Sequence, residues 1–201
     1  MQSRIFCFDL ETTGLPTLGL PVVPVQIAGV ILDPNVPGLP EIGEFHEFMQ
    51  VPAYAHFDPE AIQMHAAKGR TPEWYQANGK PPVEVYRALD AFLRGFMRHK
   101  WDMPYPAGHN VASFDIPILN REIAMQLGKD YRFPLRYHIL DTMGECTWRK
   151  MLTGAPDKLK LSEVAQHFSV PLDENDAHDA LVDVKATAEI LRRIWTERKA
   201  S

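Results

Sequence analysis

The chain is poor in cysteine, with only Cys7 and Cys146 among 201 residues. Two thiols cannot build a disulfide framework or a cysteine-rich zinc ribbon, and they fit a reduced, cytoplasmic compartment. No stretch approaches the roughly 20 apolar residues of a membrane span. The opening MQSRIFCFDLE lacks a signal peptide's apolar core, because acids interrupt it at once. An excess of positive charge is also missing: the formal net charge is −5. That argues against a protein that coats nucleic acid by neutralising many phosphates, but not against an enzyme that grips a few nucleotides at a strand end. His46, His56, His99, His109, His138 and His167 show no HExxH or paired spacing, which disfavours a zinc hydrolase. There is no repeat, low-complexity tract or obvious linker, so a single domain over 1–201 is expected.

What is present reads as a mixed α/β chain. RIFCFDLE is β-rich, and strand alternation puts Cys7, Asp9 and Glu11 on one face and Phe6, Phe8 and Leu10 on the other. VVPVQIAGVILD and EFHEFMQV follow as a hairpin across the Pro/Gly turn PNVPGLPEIG, giving a three-stranded meander. The period then changes. Asp58 and Thr71, each followed by Pro, are expected N-caps of two short helices. Apolar spacing predicts an amphipathic helix from Pro81 to about Lys100, with MRHK at its C-terminal end. MPYPAGHN and YHILD read as short strands. FDIPILNREIAMQLG, TMGECTWRKML (capped by Asp141) and KLSEVAQHF read as helices, and a last helix runs from about Ala177 to Arg198. Three strands followed by strands alternating with helices mean one mixed sheet flanked by helices.

Two acids one position apart in a strand project side by side, roughly 6.6 Å apart. Asp9 and Glu11 can thus lean together onto cations, or simply mark a strand end turning to solvent. Asp115 stands at a helix start, where an acid also suits the helix dipole. His178 and Asp183 are five residues apart, about 500° of helical rotation, so they cannot share a face if both are helical. His178 is expected on the preceding loop or frayed first turn, with Asp183 fixed on the helix. A fixed acid and a freer imidazole suit metal binding and proton transfer, respectively. Asp179 could reach a metal, but a first-turn dipole role fits it better.

In order, FDLETTGL, HNVASFDIPIL and HDALVDV resemble the three motifs of the DnaQ-like, or DEDDh, 3′–5′ exonuclease family, over nearly the whole chain. The resemblance implies a ribonuclease H-like fold: an α/β domain with a five-stranded mixed sheet, its first three strands an antiparallel meander. It implies that Asp9, Glu11, Asp115 and Asp183 hold two divalent metal ions, Mg²⁺ or Mn²⁺, and that His178 is the general base. All-oxygen ligation suits those hard cations, and imidazole as a side-chain type titrates near neutral pH. The implied reaction trims nucleic-acid 3′ ends, single-stranded DNA or RNA, to nucleoside 5′-monophosphates.

Thr12, Thr13 and Leu15, just after the first motif, are the implied contacts to the terminal nucleotide, with Leu15 as a wedge. Asn110 could bond phosphate or cap the following helix. His65 falls where many relatives carry an IHGI-like element, although MHAAKG lacks its immediate Gly. Stand-alone and proofreading-type action both fit. The short tail RRIWTERKAS leans toward the former, and homodimer or polymerase association stays open. The alternative is a catalytically inactive end-binding module on the same fold, which the presence of all four acids and the histidine disfavours.

Overall fold

The computed structural model describes residues 1–16, 19–172 and 178–200. Five strands form one mixed sheet in the order β3-β2-β1-β4-β5. They are β1 (Ile5–Thr12), β2 (Pro24–Leu32), β3 (Glu41–Phe48), β4 (Tyr105–Gly108) and β5 (Leu140–Asp141). β1 runs antiparallel to β2, and β2 to β3, so the meander forms as read from the sequence. β4 pairs β1 in parallel, and β5 pairs β4 in parallel. Among the described residues the helices are α1 (Pro59–Ala67), α2 (Pro72–Asn78), α3 (Pro82–Gly95), α4 (Asp115–Leu127), α5 (Thr142–Thr153), α6 (Leu161–His167) and α7 (Ala180–Ala200).

The alternation of β1 divides the interior. Phe6, Phe8 and Leu10 pack on one sheet face against Leu89 and Leu93 of α3 and Leu119 and Ile123 of α4. Ile5 and Cys7 point the other way, onto Ala180, Val184 and Ala188 of α7. A third cluster, with Cys146, Val164, Phe168 and Ile190, binds α5 and α6 to α7. β2 is buried along all nine residues, because both its faces are covered. Its Gly29 lies opposite Phe8. A Cβ there would come within 2.3 Å of the Phe6 ring.

The caps form as the sequence indicates. Asp58 accepts from the Glu60 N–H and Thr71 from the Trp74 N–H. Asp141 accepts from the N–H groups of Met143 and Gly144. Each satisfies a backbone donor that the helix itself leaves unpaired. Several boundaries differ from the sequence reading, among them β5, which is only Leu140–Asp141 of the expected YHILD. β3 starts at Glu41, inside the expected turn, because Asp33 N–H reaches Pro40 O at 2.9 Å and closes the hairpin earlier. α3 stops at Gly95, so MRHK lies beyond its end; there Arg98 bonds Asp102 at 2.6 Å instead of serving the helix dipole. The last helix begins at Ala180, and the expected start at Ala177 lies outside the described residues. Among the described residues no helix is long and apolar enough to cross a membrane.

Gly29→Val should cost about 1–3 kcal/mol through overpacking against Phe6. The denaturation midpoint should fall with an unchanged m-value, as read by circular dichroism in urea.

Candidate active site

Asp9 and Glu11 follow Ile5 and Cys7 in the same strand parity, so they fall on the face that α7 covers. α7 lies close to the sheet there because its contact stripe is Ala180, Val184 and Ala188. Asp183, one residue before Val184, is thereby carried to the two acids of β1. One carboxylate oxygen from each of Asp9, Glu11 and Asp183 lies within 4.8 Å of the others. A register shift between Glu11 and Thr12 ends the regular pairing here, a disruption that re-aims side chains beside active sites.

Asp115 stands outside this group of three but lines the same cleft, of about 690 Å³. Its Oδ1 accepts the Leu10 N–H at 2.9 Å, which ties the first turn of α4 to β1. His178 and Asn110 also line the cleft. Both are non-glycine residues with positive φ, 65° and 62°. Such backbones cost about 1 kcal/mol or more and persist only when held. The His178 N–H donates to Asp183 Oδ2 at 3.1 Å. The Asn110 N–H donates to Asp141 Oδ1 at 3.1 Å. His178 therefore sits outside the helix, in hydrogen-bond contact with the helical acid.

The remaining sequence-indicated residues separate. Thr12 and Leu15 line the cleft, and Leu15 is 65% exposed. Thr13 is buried; its Oγ1 accepts the Val23 N–H, fixing the loop after β1 to β2. His65 is also buried, behind the cleft wall. Its Nε2 donates to the Thr12 carbonyl at 3.0 Å, and its Nδ1 pairs with the Tyr75 hydroxyl at 3.1 Å. Burial pushes the His65 imidazole below its ordinary range, keeping it neutral for that pair of bonds. Asn110 does not cap α4, whose N-cap is Phe114. Asp179 is the residue before α7: its Oδ1 accepts the Leu181 N–H at 3.0 Å, and it is not in the three-acid group.

Sequence reading saw Asp141 only as a cap. It also accepts from Asn110 and Ala112, so one carboxylate joins α5 to the loop before α4. Gln26 and Arg70 were missed as well. Gln26 is fully buried beside the site, and a lone amide in the otherwise apolar run VVPVQIAGVIL was the available signal.

The acids are crowded. Asp9 is pushed well above the ordinary carboxylate range by burial and by the charges of Asp115, Glu11 and Asp183. Glu11 is pushed up to about 8 by burial and then by Asp183 and Asp179, with Arg70 opposing. Burial raises Asp115 to about 7, against the Leu10 N–H. Burial also raises Asp183, and its Oδ1 has no hydrogen-bond partner among the described residues. Clustered oxygen donors, raised together and with one orphaned buried oxygen, fit hard divalent cations.

These acids hold protons more tightly folded than unfolded, so the metal-free chain loses stability as pH rises between about 4 and 8. In EDTA, the melting temperature of the native chain should drop relative to Glu11→Gln across that window, by the equivalent of a few kcal/mol. Added Mn²⁺ or Mg²⁺ should remove the difference by stabilising the folded site. Calorimetry at several pH values, with and without metal, checks both signs.

A family model for exonucleases, RNase_T, matches residues 6–191. A DNA polymerase III subunit epsilon-like protein of Rhodobacter capsulatus is 30% identical over 194 residues, which cover 96% of this chain and 24% of that protein. Exonuclease I of Methylocaldum szegediense superposes with a TM-score of 0.74 at 21% identity, covering 99% of this chain and 41% of its own. Exonuclease I of E. coli in complex with a dT13 oligonucleotide superposes with a TM-score of 0.74 at 17% identity, covering 99% and 42%. The chain thus spans about a quarter of that curated relative and about two fifths of these solved chains.

Proposed function

The chain belongs to the RNase_T exonuclease family, of the ribonuclease H-like superfamily, and from that premise we propose that it is a metal-dependent 3′–5′ exonuclease. It releases nucleoside 5′-monophosphates from the 3′ ends of single-stranded or frayed DNA or RNA. The observation that carries this reading is the group of three carboxylates, Asp9, Glu11 and Asp183, within 4.8 Å of one another beside His178. A merely end-binding module has no need to hold like charges together at that cost.

Asp9, Glu11 and Asp183 would hold one divalent cation, and Asp9 with Asp115 a second; ions held there would supply charge neutralisation, an acidified water and stabilisation of the leaving oxygen. His178 takes the proton of the attacking water; its backbone bond to Asp183 holds this residue beside the acid group. Leu15, exposed on the cleft rim, wedges under the last base. Thr12 contacts the terminal nucleotide, supported from behind by His65 and Tyr75. Asn110 presents its side chain to phosphate. The dT13 complex of E. coli exonuclease I supports single-stranded DNA as the first substrate to try. The activity is compatible with stand-alone trimming in the cytoplasm and with proofreading beside a polymerase or in a homodimer.

A digest of 3′- and 5′-labelled DNA and RNA oligonucleotides, with and without Mg²⁺, should give mononucleotide from the 3′ end only when metal is present. Asp9→Ala should abolish cleavage and leave the fold intact. His178→Ala should cut turnover by about 10²–10⁴-fold while keeping the Mn²⁺-induced rise in melting temperature. Cleavage from the 5′ end, or full activity in Asp9→Ala, rules the mechanism out.

A further inference from the structure

We propose that Arg70 is a positioning residue: its guanidinium clamps Asp179 to the sheet, fixing the His178 backbone and keeping Asp179 out of the three-acid group. This rests on the exonuclease reading above and concerns the same site.

Arg70 lies in the turn between α1 and α2, far in sequence from α7. Its Nη2 donates to Asp179 Oδ2 at 2.5 Å, and its Nη1 donates to Gln26 Oε1 at 3.0 Å. The guanidinium stacks over the Phe48 ring, 4.8 Å from its centroid. Gln26 lies opposite Glu11 in the β1–β2 register, and opposite Phe48 in the β2–β3 register. Its Nε2 reaches Asp179 Oδ1 at 3.3 Å and pairs with His46 Nε2 at 2.9 Å. Gln26 of β2 and the turn therefore converge on one carboxylate, with His46 and Phe48 of β3 packed behind them.

That carboxylate begins α7. Asp179 accepts the Leu181 N–H with its side chain and the Asp183 N–H with its carbonyl. Its chain neighbour is His178, whose N–H is held by Asp183. Anchoring Asp179 thus fixes the residues on both sides of it: the imidazole-bearing residue before it and the metal-binding acid four after it. The clamp also controls charge. Asp179 pushes on Asp9, Glu11 and Asp183 electrostatically, while Arg70 opposes that push at Glu11. Released, it would be one more acid free to lean toward Asp9, Glu11 and Asp183. The ion pair is largely shielded from water, at 18% and 16% side-chain exposure. A planar fork that bonds two acceptors and lies on a ring is a task for arginine and not for lysine.

The test compares the full chain with Arg70→Gln, Asp179→Asn and the double variant. Asp179→Asn keeps an acceptor for the helix cap and serves if Arg70→Gln folds poorly. Amide hydrogen exchange by NMR reads the clamp directly. Each single variant should speed exchange of the His178 N–H at least tenfold, without a matching change in β2. On a labelled oligonucleotide, kcat should fall at least tenfold and KM should stay within twofold. The double variant should be no worse than either single. Arg94→Gln, which breaks an ion pair with Asp90 on α3 across the sheet, should change neither readout. Unchanged His178 exchange, or a double variant equal to the product of two independent defects, overturns the clamp. If the native chain cleaves nothing, the exonuclease reading falls, while the exchange comparison still decides the clamp.

Discussion

Like charges held close together are the constraint around which the rest of this molecule is arranged. Asp9, Glu11 and Asp183 would separate if their backbones could move, yet two different elements fix them. The two β1 acids are carried by a strand paired on both sides, and Asp183 by a 21-residue helix packed on the sheet. Asp115 is tied to β1 by the Leu10 N–H. The free energy stored in the metal-free repulsion becomes available to cation binding, because the ion relieves it.

Positive and hydrogen-bonding groups form a ring around that negative centre. Asp141, with four N–H donors, organises the loop that brings Asn110 to the cleft. His65 and Tyr75 brace the Thr12 carbonyl from behind. Arg70 holds Asp179 to one side. In each case a polar group finds a specific partner, and a buried one left unpaired would cost about 1–3 kcal/mol. The uneven φ values at Asn110 and His178 fall where these bonds are available to hold them.

Much of this was legible from the residues alone. The parity of Phe6, Phe8 and Leu10 against Cys7, Asp9 and Glu11 follows from strand geometry and sorts the two cores correctly. Asp58, Thr71 and Asp141 cap their helices because capping is a local matter of side chain and adjacent backbone. The five-residue gap between His178 and Asp183 already forbade a shared helical face. What was hidden is contact between distant segments. Nothing near Arg70 announces Asp179, 109 residues away. His65 reads as a cleft residue until the fold shows Met64 on the wall and His65 behind it. The end of α3 was overrun because Phe96 and Met97 continue the apolar pattern, while Arg98 is drawn to Asp102 by tertiary structure.

The small stripe on α7 has a reach beyond packing. Ala180 and Ala188 are fully buried, and Ala28, the partner of Asp9 on β2, belongs to the same cluster. These methyl groups are the spacers that set how far the helix axis stands from the sheet, and hence the gap that Asp183 must cross. A bulkier side chain at any of them would lift the helix and carry Asp183 away from the two acids of β1. The spacing of the three carboxylates is thereby written partly in residues that carry no charge.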